Sequence, residues 1–112
     1  MEIKVTNVFK KSFKKLLKKD KSLIDEYQKL LKNLEENPFL GTQIKDGRYK
    51  IRLKNNSNNK GKSGGYRVIT YTKISNTILL VYIYSKSEIE NIIDKKLDEI
   101  IKNYKKETNE LN

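Results

Sequence analysis

Arg48-Tyr49-Lys50-Ile51-Arg52-Leu53-Lys54 alternates without a break between cations and apolar or aromatic residues. On an extended strand Arg48, Lys50, Arg52 and Lys54 point to one side, and Tyr49, Ile51 and Leu53 to the other. A solvated strand face normally mixes its signs. Four cations with no acid repel one another, so the pattern points to a face built to bind anions. The surrounding segment, residues 43–67, holds eight Lys/Arg against the single acid Asp46. It also holds all three arginines of the chain, Arg48, Arg52 and Arg67, against 22 lysines overall. A guanidinium grips phosphate in two places where an ammonium offers a point charge, so arginines kept in a lysine-biased chain suit a phosphate-binding role. Gly61-Lys62-Ser63-Gly64-Gly65 lacks the spacing of a nucleoside-triphosphate loop and leads into a strand, which excludes that enzyme class. Its glycines still let backbone N–H groups approach a phosphate.

The composition narrows the chemistry. The chain has 112 residues, a formal net charge of +11, and no Cys, His or Trp. Disulfides, Cys- or His-ligated metals, and catalysis by Ser-His-Asp or Cys-His are therefore excluded. Proton transfer must fall to Lys, Arg, Tyr or a carboxylate. No carboxylate cluster suggests a metal, and no cofactor is expected. The longest apolar run, Thr77 to Tyr84, is far shorter than a membrane span, and Met-Glu-Ile-Lys-Val-Thr carries no signal-peptide core. The expectation is a single cytoplasmic domain over residues 1–112, fraying from about residue 105.

The elements that position these residues follow from periodicity. Ile3 to Thr6 reads as a short strand. Phe9, Phe13, Leu16 and Leu17 share one helical face behind an N-cap at Thr6 or Asn7. Leu23, Ile24, Tyr27, Leu30, Leu31 and Leu34 give a second amphipathic helix ending near Asn37-Pro38. The short link between them predicts a helical hairpin. Thr42 to Lys45 is a candidate edge strand between turns at Leu40-Gly41 and Asp46-Gly47. Tyr66 to Tyr71 and Ile78 to Tyr84 are strands joined by a turn at Ser75-Asn76. Ser87 and Glu90 form a capping box before a C-terminal helix with Ile89, Ile92, Ile93, Leu97, Ile100, Ile101 and Tyr104 on one face. The order β-α-α-β-β-β-α predicts an α+β fold, with an N-terminal strand and helical hairpin packed on a small, mostly antiparallel twisted sheet.

Taken together, the lysine-rich first helix, Asn37-Pro38-Phe39-Leu40-Gly41, the Tyr49-to-Leu53 strand, Gly61-Lys62-Ser63-Gly64-Gly65-Tyr66-Arg67-Val68-Ile69, and Tyr82-Ile83-Tyr84-Ser85-Lys86-Ser87-Glu88 resemble the RelE/ParE superfamily of bacterial toxins. The glycine-containing segment and the Lys-Ser-Glu before the last helix look most like its HigB/RelE branch. The resemblance spans about residues 3 to 104. It implies a small toxin, neutralised by a cognate antitoxin, that cuts mRNA in the ribosomal A site. It assigns catalytic roles to Lys50, Arg52, Arg67 and Lys86, and a phosphate contact to Lys62. The family often places an aromatic or Arg side chain near the chain end to orient RNA. This chain has no counterpart there, so Tyr82 and Tyr84 stand in for it. Arg48 and Lys54 complete the expected RNA-binding face.

The chemistry is consistent with these residue types. RNA carries its own nucleophile, the 2′-OH, whose attack on the adjacent phosphate gives a 2′,3′-cyclic phosphate. The protein must align the attack, neutralise the phosphorane and help protons move. Arg52 and Arg67 can neutralise, and Lys50 becomes a base if crowding by like charge lowers its pKa. Two other functions share part of the pattern. One is a ParE-like inhibitor of DNA gyrase. The other is a non-enzymatic RNA-binding module, which the lack of aromatic RNP and G-x-x-G motifs disfavours. An acidic partner helix lying in an apolar groove is the expected form of the antitoxin.

Overall fold

The computed structural model describes residues 1–54, 65–89 and 92–110. The elements are β1 (Glu2–Val5), α1 (Asn7–Lys19), α2 (Leu23–Glu36), β2 (Thr42–Lys45), β3 (Arg48–Leu53), β4 (Tyr66–Tyr71), β5 (Thr77–Ser85) and α3 (Asp94–Glu110). The five strands form one sheet in the order β1-β5-β4-β3-β2. β1 runs parallel to β5, and every other pair is antiparallel. The architecture is α+β as the periodicity predicts, with the Thr42–Lys45 edge strand present.

Two cores flank the sheet. On one face Phe9, Leu16, Leu23, Leu30 and Leu34 of the hairpin pack on Ile51, Leu53, Tyr66, Val68, Ile78, Leu80 and Ile83. On the other, Leu97, Ile100 and Ile101 of α3 pack on Ile69, Leu79, Val81, Tyr82 and Tyr84. β5 is buried along its whole length because helices cover both its faces. Its side chains do not alternate simply. Ile69 pairs with Tyr82, but its neighbour Thr70 pairs with Leu80, so Val81 is an extra residue. This β-bulge sends both Val81 and Tyr82 toward α3 and re-phases the strand beyond them.

Thr6 ties the bulge to α1. Its Oγ1 donates to the Val81 carbonyl at 2.7 Å and accepts from Phe9 N at 2.9 Å as the helix N-cap. At the other end of α1, buried Asp20 accepts from Ser22 N at 3.1 Å, from Ser22 Oγ at 2.5 Å, and from the Tyr66 hydroxyl at 2.7 Å. The hairpin bend is thus fixed directly to the start of β4. Phe9, Phe13 and Tyr27 close the hairpin as an aromatic trio, with Phe13 and Tyr27 centroids 4.7 Å apart.

Outside its apolar stripe, α1 carries Lys10, Lys11, Lys14, Lys15, Lys18 and Lys19, all exposed, and no acid. Lys18 and Lys19 suit the negative end of the helix dipole, whereas Lys10 and Lys11 oppose its positive end. Like charges four residues apart destabilise a helix by about 0.2–0.5 kcal/mol each. α1 forms because its apolar face is buried, not because its surface favours it.

α3 departs from expectation at both ends. It starts at Asp94, whereas the residues after β5 make a turn in which Glu88 N and Ile89 N donate to Ser85 O at 3.1 and 3.0 Å. The Ser87 hydroxyl meets Ser85 Oγ at 2.8 Å, and Glu90, the other half of the expected capping box, lies outside the described residues. At the far end the helix continues to Glu110, past the expected fraying point. Its last turns are rich in Lys and Glu, which are good helix formers, and Thr108 bonds the Tyr104 carbonyl at 2.8 Å. No helix among the described residues is long and apolar enough to cross a membrane.

Candidate functional site

The face of β3 that carries the cations is the one on which α3 lies, and α3 covers only part of it. Exposure rises along the strand, from Arg48 at 7%, through half-buried Lys50, to exposed Arg52. Arg48 therefore leaves the expected wet face. It pairs with Asp98 of α3, and its Nε and Nη1 are buried with no partner among the described residues. The Arg48 guanidinium, chiefly through its hydrogen bond, holds the Asp98 carboxyl below its usual range.

Beyond the cover of α3 the sheet opens into a cleft of about 510 Å³ lined by Gly41, Thr42, Ile44, Lys50, Arg52, Arg67 and Lys86. Each cation reaches it for a separate structural reason. Lys50 and Arg52 share a face by strand alternation. Arg67 lies directly opposite Arg52 in the β3–β4 register. Two arginines opposed across a ladder repel, an arrangement that an anion between them would relieve. Arg67 is largely buried, and its Nη1 donates to Tyr66 O at 3.2 Å, which restrains the guanidinium. Lys86 comes from the turn after β5, where its N–H donates to Gly65 O at 2.9 Å. Gly65 has a φ of +65°, a backbone state that glycine adopts without strain.

The other wall is the chain entering β2. Gly41 has a φ of +98°, and a Cβ there would run into the Lys50 carbonyl oxygen and lie 2.8 Å from Ile51 Cγ1. Only glycine lets this segment lie so close to β3. Gly41, Thr42 and Ile44 were not among the residues singled out by sequence. The Leu40-Gly41 turn signal pointed to the bend but not to what the bend approaches.

The remaining expected residues lie elsewhere. Lys54 sits past the end of β3 in an adjoining depression that it lines with Glu26 and Lys29 of α2, and that shares Gly41 and Arg52 with the cleft. Lys62 lies outside the described residues. Tyr82 and Tyr84 are buried under α3, at 9% and 3% exposure, with ring centroids 6.1 Å apart. The Val81 bulge turns them into that core. Lys96 of α3 lies over the Tyr82 ring, 5.0 Å from its centroid. The Tyr84 hydroxyl is buried with no hydrogen bond of normal geometry among the described residues. Burial raises its pKa, partly offset by the nearby Arg67 charge and Ile92 backbone. Among the described residues, no group of three or more acids, Cys or His could hold a metal ion.

Such a cleft, with four cations drawn from β3, β4 and the turn after β5 and no imidazole anywhere in the chain, fits a phosphodiester better than a small neutral ligand. No curated protein matches the chain. The family model described as "RelE toxin of RelE / RelB toxin-antitoxin system" matches residues 1–112. With an α+β fold that agrees and a match running the whole length, the chain belongs to the RelE toxin family of toxin–antitoxin systems.

Proposed function

We propose that this toxin is a metal-independent endoribonuclease that cleaves mRNA in the ribosomal A site, in the cytoplasm, and that a cognate antitoxin silences it. The observation that carries the reading is the convergence of Lys50, Arg52, Arg67 and Lys86 on one cleft. In the proposed reaction the 2′-oxygen attacks the adjacent phosphorus and the P–O5′ bond breaks. The products are a 2′,3′-cyclic phosphate and a 5′-hydroxyl. The 2′-OH loses a proton and the departing 5′-oxygen gains one. Arg52 and Arg67, opposed across the ladder, hold the charged phosphorane oxygens between them. Lys50 and Lys86 assist the proton transfers and add charge. The ribosome supplies the RNA geometry needed for in-line attack.

The test is a translated message whose 5′ ends are mapped with and without ribosomes, for wild type and Arg67→Ala. Cuts within codons that require ribosomes, and that slow by about 10²–10³-fold in the variant, are expected. Cuts on free RNA would keep the nuclease and remove the ribosome. Growth arrest with DNA breaks and no RNA cuts would replace the reading with gyrase inhibition.

A further inference from the structure

We propose that Thr42 and Ile44, on the uncharged wall of the cleft, form a nucleobase subsite that reads one of the two nucleotides joined by the scissile phosphate. The proposal rests on the reading of the cleft as an RNA-cleaving site and adds what selects the sequence cut.

Three observations carry it. First, the cleft is two-sided. Its cations come from β3, β4 and the turn after β5, whereas the chain entering β2 and β2 itself supply Gly41, Thr42 and Ile44, which carry no charge. A nucleotide divides in the same way, into a charged phosphate and a base with an apolar face and a hydrogen-bonding edge. Ile44 suits the face, and the exposed Thr42 offers a hydroxyl that donates or accepts at the edge. Secondly, a β-bulge shapes this wall. Thr42 pairs with Lys50 and Gln43 with Tyr49, but Lys45 pairs with Arg48, so Ile44 is an extra residue. The bulge puts two consecutive side chains on the α3 side of the sheet. Lys45 reaches toward Asp98 at 4.0 Å, and Ile44, half-buried against the α3 core, lines the cleft. The wall is therefore both uncharged and anchored. Thirdly, the spacing fits. Thr42 stands opposite Lys50, two residues along β3 from Arg52, whose own partner is Arg67. That is a step from Arg52 of about 5 Å across the sheet and about 7 Å along it. A phosphate held between the two arginines leaves the base of its own nucleotide within reach of the wall. The close passage of Gly41 over the Lys50 carbonyl keeps the wall at that distance.

The test maps 5′ ends on translated messages of varied sequence and tallies the bases on either side of each cut. Wild type is compared with Thr42→Val, Thr42→Ser and Ile44→Ala, with a thermal melt as the check on folding. Wild type is expected to favour particular bases at one of the two flanking positions. Thr42→Val keeps the shape and loses the hydroxyl, so that preference falls by about fivefold, the worth of one hydrogen bond, and Thr42→Ser restores it. Ile44→Ala slows cuts beside purines more than cuts beside pyrimidines, because the larger ring covers more of the wall. An unchanged preference in an active, folded Thr42→Val overturns this inference and leaves the nuclease standing. So does a uniform slowing in Ile44→Ala, which would make that side chain a packing element only. A wild type that cuts no RNA overturns the cleft reading, and this one with it.

Discussion

Tyr66→Phe removes one oxygen and leaves the ring packing intact, so its effect isolates the bond that fixes the helical hairpin to the sheet. The acceptor is Asp20, only 3% exposed, and Tyr66 donates to it at 2.7 Å. A hydrogen bond to a buried charged group contributes about 1.5–3 kcal/mol. Two bonds from Ser22 continue to solvate the carboxylate. The expected loss is therefore toward the middle of that range, about 2 kcal/mol. With an unfolding entropy of about 2.1 cal/mol/K per residue over 112 residues, this lowers Tm by about 8 °C. The variant also alters the alkaline limb of stability. Burial first, then the hydrogen bond and charge of Asp20, hold the Tyr66 phenol well above its ordinary 10.0. The unfolded chain therefore ionises before the folded one. Tyr66 contributes stability that is fully present below pH 10 and is lost as pH rises above it toward the folded pKa. Tyr27 and Tyr84 are also raised by burial, so the variant keeps part of the alkaline loss with a shallower slope. Denaturation by heat and by urea across pH 7 to 11 measures both effects. A Tm shift under about 2 °C with an unchanged alkaline slope would refute the reasoning.

Thr6→Val keeps the shape but loses both the N-cap bond to Phe9 and the bond to the Val81 carbonyl. A loss of about 2–3 kcal/mol by urea unfolding is expected, with Thr6→Ser close to wild type; equal effects of the two would be contrary to it. Gly41→Ala forces a Cβ against the Lys50 carbonyl at a positive φ. It is expected to destabilise by about 1–3 kcal/mol and to widen the cleft, so that RNA cleavage falls even where the protein remains folded. Asp98→Asn removes a carboxyl held low chiefly by the Arg48 hydrogen bond. In wild type this contribution is present above the ordinary 3.8 and is lost as pH falls through the folded pKa. The variant is expected to show a flatter acid limb, and an acid limb as steep as wild type's would exclude the role.

The strand of alternating charge was legible in the sequence because the pattern is local, and Lys50 and Arg52 lie on one face of β3 as it requires. What the pattern does not carry is the cover over that face. Arg48 is buried by Asp98, fifty residues away, and nothing near Arg48 announces it. Tyr82 and Tyr84 escaped for a different reason. The run Ile78 to Tyr84 is apolar or aromatic throughout, so no alternation marks which side each residue faces or where the extra residue falls. The helix start expected at Ser87 lies instead at Asp94, because the chain makes a turn on the Ser85 carbonyl and the Ser87 hydroxyl pairs with that of Ser85. The glycine at 41 announced a bend, and only the tertiary approach to Lys50 explains why the bend lines the cleft.

The single hydroxyl of Thr6 has a consequence for how the molecule comes apart. It is shared between the first turn of α1 and the carbonyl of Val81, the extra residue at the bulge. Neither can fray alone, because releasing the helix start strands a buried carbonyl, and straightening the strand uncaps the helix. The chain from β1 through α1, together with the later half of β5, therefore opens as one cooperative unit. That unit includes the strand that sets down Lys86, so the cleft loses its geometry whenever this unit opens, and keeps it through any smaller fluctuation of the helix start.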